Sequence, residues 1–380
     1  MENRTVRRRR SPLLLLGVGL ALVAGACSGT ASPSAPASAG ATVAGPSASQ
    51  PAGSGDASAP GSAPASAPAG GGIADVCAAG AEEGSVVLWH NHSDEYIQIT
   101  EAFNEVYPDI EVEDLVLSPD EAAQRILTEV SAGRPPTPDV AAGGLDVFKP
   151  LLDQGILNTD TDWAALGAPE DVIHPEGILR IHRIALGLGY NTDAVSPDEL
   201  PATWEELIDE KWAGTVIVDP RGRPFDSISL AEGWGPETTL DYVQRLKDIV
   251  RPLVIEGGTA GLVAVAGGEA DITTGGRSAE TLEQQAEGAP LEIHYLDVVS
   301  TIDNYNAVLA EAAHPNAATC YVAWFAAEGQ DLYNEVEFKT NESLPAAAPE
   351  GAQVVVIESP EDADAVGEIG QEIGRIWTGG

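Results

Sequence analysis

The stretch Val86-Val87-Leu88-Trp89, with Ile110 to Leu117 and Asp139-Val140-Ala141-Ala142 behind it, decides the architecture. Val86 to Trp89 is a short unbroken apolar run, the pattern of a strand buried on both faces. Ser93 follows, and then Ile99, Phe103 and Val106 share one stripe of a helix that Pro108 ends. Ile110 to Leu117 alternates as a second strand. Ser118-Pro119-Asp120-Glu121 is a capping box with proline at the first helical position, opening a helix with Ala122, Ile126 and Val130. Asp139 to Ala142 is a third strand and runs into Gly143-Gly144. The order β-α-β-α-β predicts the α/β class with an open, mostly parallel sheet, whose ligands sit beyond the carboxyl ends of the strands.

The middle of the chain repeats the theme. Ile184 to Tyr190 is extended and apolar, and Asn191-Thr192-Asp193 is a turn. Thr203-Trp204-Glu205-Glu206 is a second capping box, Thr215 to Val218 a strand running into Pro220, and Thr239 to Ile249 an amphipathic helix. Gly261 to Ala266 and Asp271 to Thr274 run toward Gly275-Gly276-Arg277. His294 to Leu309 is extended again, before a helix around Ala317 to Ala327.

The N-terminal part is of another kind. Arg7 to Arg10 precede a short apolar run, Leu13 to Val23, and Ala24-Gly25-Ala26 lead into Cys27. This is a secretory signal, too short to span a bilayer. From Ser28 to Gly72 the chain is almost wholly Ala, Ser, Pro and Gly. Such a segment has no large side chains to bury and predicts a disordered tether, with a reach on the order of 35–40 Å. Residues 73–380 hold all the Trp, Tyr and Phe of the chain and suffice for two lobes of ordinary size.

The charge is extreme. Residues 1–27 hold Arg4, Arg7 to Arg10 and Glu2; the remainder has 58 acidic against 14 basic residues, a formal −44. Such a field repels nucleic acid and anionic lipid, so neither is an expected partner. The four lysines are Lys149, Lys211, Lys247 and Lys339. An acidic, lysine-poor surface reads as a solubility adaptation rather than a cation-binding device.

Cys27, directly after small residues, resembles the lipidated cysteine of the bacterial lipoprotein lipobox, although Ala24 stands where a large aliphatic residue is usual. The alternative is an ordinary signal peptide with an incidental cysteine. If Cys27 is acylated, Cys77 and Cys320 remain as a pair in an oxidising compartment, and a disulfide between them is expected; two separate buried thiols are the other possibility.

The body resembles the extracellular solute-binding proteins of ATP-driven (ABC) importers, in the branch related to ferric-iron-binding proteins. The residues that carry this are Val86-Val87-Leu88-Trp89 with His92, Ala102-Phe103, Tyr107 to Val112, Ile126 to Glu129 and Pro138-Asp139-Val140. They continue in order through Leu151-Leu152, Gly155-Ile156-Leu157, Gly189 to Asp193, Leu200 to Trp204, Lys211 to Gly214 and His314 to Ala318. The resemblance implies the two-lobe type II periplasmic-binding-protein fold. In it two mostly parallel sheets flanked by helices are joined by two crossing strands, here near Ile184 to Tyr190 and Leu296 to Asn306. Residues 84–187 and 304–380 would form lobe 1 and residues 188–303 lobe 2. Closure about a small-molecule ligand would be a hinge motion, and membrane permease subunits would receive the ligand from a monomeric binding protein held to the membrane by its lipid anchor alone.

Four loops fall at the cleft. In the first, His90-Asn91-His92-Ser93, free N–H groups at a helix start and Ser93 suit an anion. His92 matches the histidine that ligates iron in the ferric-binding relatives, and a His-x-His pair is also a weak metal signal. The second is Gly143-Gly144, where such relatives can place a glutamate. The third, Asp219 to Ser227, contains Arg221, Arg223 and Ser227, and the fourth is Gly275-Gly276-Arg277-Ser278. The fourth lacks the adjacent tyrosines that hold iron in the ferric branch. Three of only ten arginines after residue 27 therefore lie in two cleft loops, and arginine favours carboxylate or phosphate. An anionic or zwitterionic solute is expected; the alternative is that these arginines pair with the protein's own acids. Asp303-Asn304-Tyr305-Asn306 at the second crossing offers Tyr305 as a further contact from the hinge side; the alternative, and the favoured one, is a structural hinge role.

No catalysis and no cofactor are expected. There is no Gly-x-Ser-x-Gly elbow and no phosphate loop. Two other readings are a ferric-iron or iron-chelate binding protein and, from a different class, a metal-dependent hydrolase using His90 and His92.

Overall fold

The computed structural model describes residues 72–341 and 347–379. The signal segment, Cys27 and nearly all of the tether lie outside them. The described residues belong to one compact unit. Helix α1 (Ile73–Glu83) leads into β1 (Ser85–His90), α2 (Ile97–Val106), β2 (Glu111–Val116), α3 (Pro119–Ser131), β3 (Val140–Gly143) and α4 (Leu145–Leu152). Strand β1 lies parallel between β2 and β3, as the apolar runs predict. The cap of α3 is half of the expected box. Ser118 Oγ accepts the Glu121 N–H (3.3 Å), but the Glu121 carboxylate reaches forward to Arg125 instead of back.

The long strand β4 (Leu179–Asn191) then opens the second half: β5 (Val216–Val218), α5 (Phe225–Ile228), α6 (Pro236–Val250), β6 (Leu253–Val254), α7 (Gly258–Ala266), β7 (Ile272–Arg277), α8 (Ser278–Ala286) and β8 (Leu291–His294). Strand β9 (Val298–Val308) returns to the first half, followed by α9 (Pro315–Ala327), α10 (Gln330–Glu337), β10 (Gln353–Val355) and α11 (Pro360–Thr378). Thr203 to Glu206 opens only a single 3-10 turn, Glu205–Leu207. Trp204, just before that turn, is buried, and its indole donates to the Val298 carbonyl.

The strand order is β2-β1-β3-β9-β4-β7-β5-β6, with β10 beside β9 and β8 beside β4. Strands β4 and β9 are the two crossings. Leu179 to Ala185 pairs with β9, whereas Leu186 to Tyr190 pairs with β7 and β8. Separate cores sit on either side. One gathers Val86, Leu88, Ile99, Phe103 and the fully buried middle of α9; the other gathers Leu188, Trp204, Val216, Phe225 and Tyr242. Helix α11, assigned whole to lobe 1 by the sequence reading, is shared. Val366, Ile369, Ile373 and Trp377 enter the second core, and only Ala363 packs with Phe148 and Leu151 of α4. The apolar stripe of α11 has the length to bridge, and sequence order alone does not say which side it covers.

Two close approaches hold the edges of this frame. Cys77 of α1 is bonded to Cys320 of α9. Beside that bond the Glu83 carboxylate accepts the Asn316 and Ala317 N–H groups at the start of α9. On α11, Gly370 and Gly374 face the Arg221 and Pro220 carbonyls, where added β-carbons would lie only 2.8 and 2.6 Å away. This glycine face lets the loop after β5 rest directly on the helix.

Candidate functional site

A cavity of about 650 Å³ opens where the carboxyl ends of β3, β5 and β7 converge over the β4–β9 crossing. Gly144 and Asp146 wall it from the first half, Arg221 and Arg223 from the loop after β5, Arg277 from the end of β7, and Asp303 to Tyr305 form its floor. Of the residues singled out in the sequence, Asn91, Gly144, Arg221, Arg223, Arg277 and Tyr305 line this cavity.

The three arginines line one cavity, and each also has a carboxylate of its own. Arg221 bonds Asp219 through Nε and Nη2 (3.1 and 2.7 Å), Arg223 Nε lies 3.3 Å from Asp226, and Arg277 Nη1 lies 2.5 Å from Glu280. Asp219 is pushed up by burial, but its bonds from Arg221 and Gly257 outweigh this and hold it below the usual carboxylate range. Asp226 behaves oppositely: burial raises it, and Arg223 and Ser227 offset only part of that. Arg223 Nη1 is buried without a partner, so one strong donor beside the cavity is unspent.

Several expected site residues lie elsewhere. His90 is buried beneath the sheet end. Its Nε2 faces Asp114 at 3.3 Å and its Nδ1 accepts the His92 N–H, so both ring nitrogens are taken. The His-x-His pair therefore stacks, ring centroids 5.0 Å apart, rather than converging on a metal. Ser93 does greet an anion, but an internal one: Glu337 Oε1 accepts both its N–H (3.1 Å) and its hydroxyl (2.6 Å). Ser227 is fully buried against Ser300 and Asp226, and Ser278 Oγ accepts the Ala185 N–H. Gly143 lies in strand β3. Gly276 is a packing glycine of β7, since a Cβ there would stand 2.3 Å from the Gly189 nitrogen. His92 and Ser93 line a second, smaller cavity of about 390 Å³ beside the first.

The sequence reading missed Asp219, Asp226 and Glu280 as partners, although the spacings Asp219-x-Arg221, Arg223-x-x-Asp226 and Arg277-x-x-Glu280 were legible. It named Asp303 at the second crossing but not its partner: the two oxygens take Arg183 Nε and Nη2 at 2.7 and 2.6 Å. Arg180 and Arg183 on a strand that is apolar apart from them, His182 and Asn191 were the signal.

Beneath His90 lies a buried cluster of His92, Tyr96, His182, Tyr321 and Tyr333. Tyr333 Oη stands 2.8 Å from His182 Nδ1 and 3.3 Å from His92 Nδ1. Burial first, and the charge of Lys339 second, hold both imidazoles neutral well below their ordinary value of 6.5. In the unfolded chain both take up protons as pH falls through 6.5; the folded protein does not, so stability is lost in that direction. Each contributes a slope of about 1.4 kcal/mol per pH unit below about pH 6. Denaturant unfolding at a series of pH values should show this slope, and His182→Phe should flatten it; equal slopes in both proteins would refute the assignment.

These features define a class of fold: two cores joined by a pair of crossing strands, with a cavity over the crossing. The profile of the family described as bacterial extracellular solute-binding protein matches residues 89–331, and the chain belongs to that family. Among curated proteins, Iron uptake protein A1 of Synechocystis sp. is 31% identical over 131 residues, 33% of this chain and 34% of that one. The match thus spans about a third of that relative's length. Iron-bound HitA from Pseudomonas aeruginosa is similar in structure, with a TM-score of 0.61 at 21% identity over 76% of this chain and 99% of HitA. AfuA from Actinobacillus pleuropneumoniae, solved with fructose-6-phosphate bound, gives 0.60 at 18% identity over 76% and 97% of the two chains. At these identities the likeness is one of fold.

Proposed function

We propose that this chain is the ligand-capturing subunit of an ABC importer, exported and held by lipidated Cys27 at the outer face of the cell membrane, with residues 28–72 as its leash. Its two lobes close on a small solute bearing a phosphate or carboxylate and present it to permease subunits. The protein acts as a monomer and performs no catalysis. Lobe 1 is built on β1 to β3 and α9, lobe 2 on β5 to β7, and α11 spans both. One observation carries the choice of ligand: three guanidinium groups from two loops line one cavity, and Arg223 Nη1 is buried there without a partner. The carboxylate partners hold the arginines in place, and an incoming oxyanion takes the donors they leave open.

The names of the iron-binding relatives favour a second reading, ferric iron or an iron chelate. Against it stand the glycines Gly275 and Gly276 in place of phenolates and the commitment of Asp219, Asp226 and Asp303 to arginines. Tyr305, the tyrosine of the cavity floor, is pushed well up by burial and by Asp303, which opposes a phenolate.

A thermal-shift screen over sugar phosphates, phosphonates, carboxylates and ferric citrate separates the two. Anions should stabilise the protein, and Arg223→Ala should weaken the best of them by about 10- to 100-fold in titration calorimetry. Stabilisation by ferric citrate alone, or unchanged anion affinity in both Arg223→Ala and Arg277→Ala, would overturn the anion reading.

A further inference from the structure

The second cavity abuts the first, and its chemistry has the opposite sign. Asn91 lines both, and the Arg277–Glu280 pair divides them, Arg277 facing the larger and Glu280 the smaller. The smaller one has Glu95, Glu280, Glu283, Glu287 and Glu337 in its walls against a single cation, Lys339. That cation is spent within the wall, bonded to Glu337 Oε2 at 2.6 Å, while Glu337 Oε1 is taken by Ser93.

Two polar atoms there are left over. Glu280 Oε2 and His92 Nε2 are both buried without a hydrogen-bond partner, and His92 as a whole is 4% exposed. In the arrangement where the Tyr333 hydroxyl donates to His182 Nδ1 (2.8 Å) and accepts from His92 Nδ1 (3.3 Å), His92 Nε2 is a bare lone pair; the 2.8 Å contact fits donation in either direction. With that orientation the pocket offers unused acceptors and no unused buried donor among the described residues, an arrangement that costs stability unless a donor arrives.

We infer that the ligand is a zwitterion whose far end is an ammonium or similarly N–H-rich cation, seated in this acidic pocket and donating to His92 Nε2 and Glu280 Oε2, with Glu283 as added counter-charge. The inference rests on the anion reading of the first cavity and supplies the second charge. It also accounts for the Arg277–Glu280 pair: at the divide, each member faces the ligand charge opposite to its own.

The test is titration calorimetry with ω-aminoalkyl phosphates and ω-amino carboxylates, from ethyl to hexyl spacers, each against the amine-free compound of the same length. At the length that spans both cavities the amine should raise affinity at least about tenfold. Glu283→Gln, on an exposed face of α8, and His92→Phe should each cut that ratio below about threefold. Equal affinities at every length overturn this inference and leave the anion reading standing, as does an amine advantage that survives both substitutions. Binding of no member of either series, with or without the amine, overturns both readings.

Discussion

Replacing Asp303 by asparagine is expected to lower the unfolding free energy by about 3–5 kcal/mol, measured by denaturant titration at neutral pH. The Asp303 side chain is 4% exposed, and it faces Arg183 in a two-pronged pair with Arg180 Nη1 a further 3.8 Å away. Burial and the neighbouring Arg183 already press Arg180 toward losing its proton, opposed by Asp303. An asparagine keeps the shape and removes the charge, leaving two buried guanidinium groups with none between them to offset their repulsion. Replacing Arg183 and Asp303 together with methionine and leucine should cost less than Asp303→Asn alone, because it removes one cation along with the anion. A loss below about 1 kcal/mol for the asparagine variant would mean that water reaches the pair and the crossing strands do not depend on it.

The frame was legible because it rests on local physics. Val86 to Trp89 and Val140 to Ala142 read as buried strands, and the extended runs Ile184 to Tyr190 and His294 to Leu309 marked parts of β4 and β9, whose role as crossings came from the family resemblance alone. The cleft arginines were legible as well, being rare cations on loops at strand ends. What the sequence hid was pairing across distance. Ser93 sits at a helix start suited to an anion, and nothing local says that Glu337, 244 residues away, supplies it. Gly276 looks like a loop glycine making room for a ligand; only its pairing with Gly187, which brings the Gly189 nitrogen against it, shows that it makes room for a strand. Helix α11 showed an apolar stripe but not its allegiance, and its glycines acquire meaning only against the loop that carries Arg221.

The same dependence on distance makes the Cys77–Cys320 bond the other large lever on stability. The two residues are 243 positions apart, so the bond closes most of the described chain into one loop. Removing such a constraint frees the unfolded ensemble by an amount that grows only logarithmically with loop length, about 5.5 kcal/mol here. Cys77→Ser with Cys320→Ser is therefore expected to lose about 3–5 kcal/mol of unfolding free energy while keeping its fold. Val76 still packs with Ala317 and Ala318, and Glu83 still caps α9. Reduction of the unmodified protein should reproduce the loss, and a midpoint indifferent to both treatments would refute it. The loss should also be uneven. Helix α1 is the first described element and touches the body chiefly along α9. Without the bond it should be the first of the described elements cut by limited proteolysis, well before the β4–β9 crossing opens.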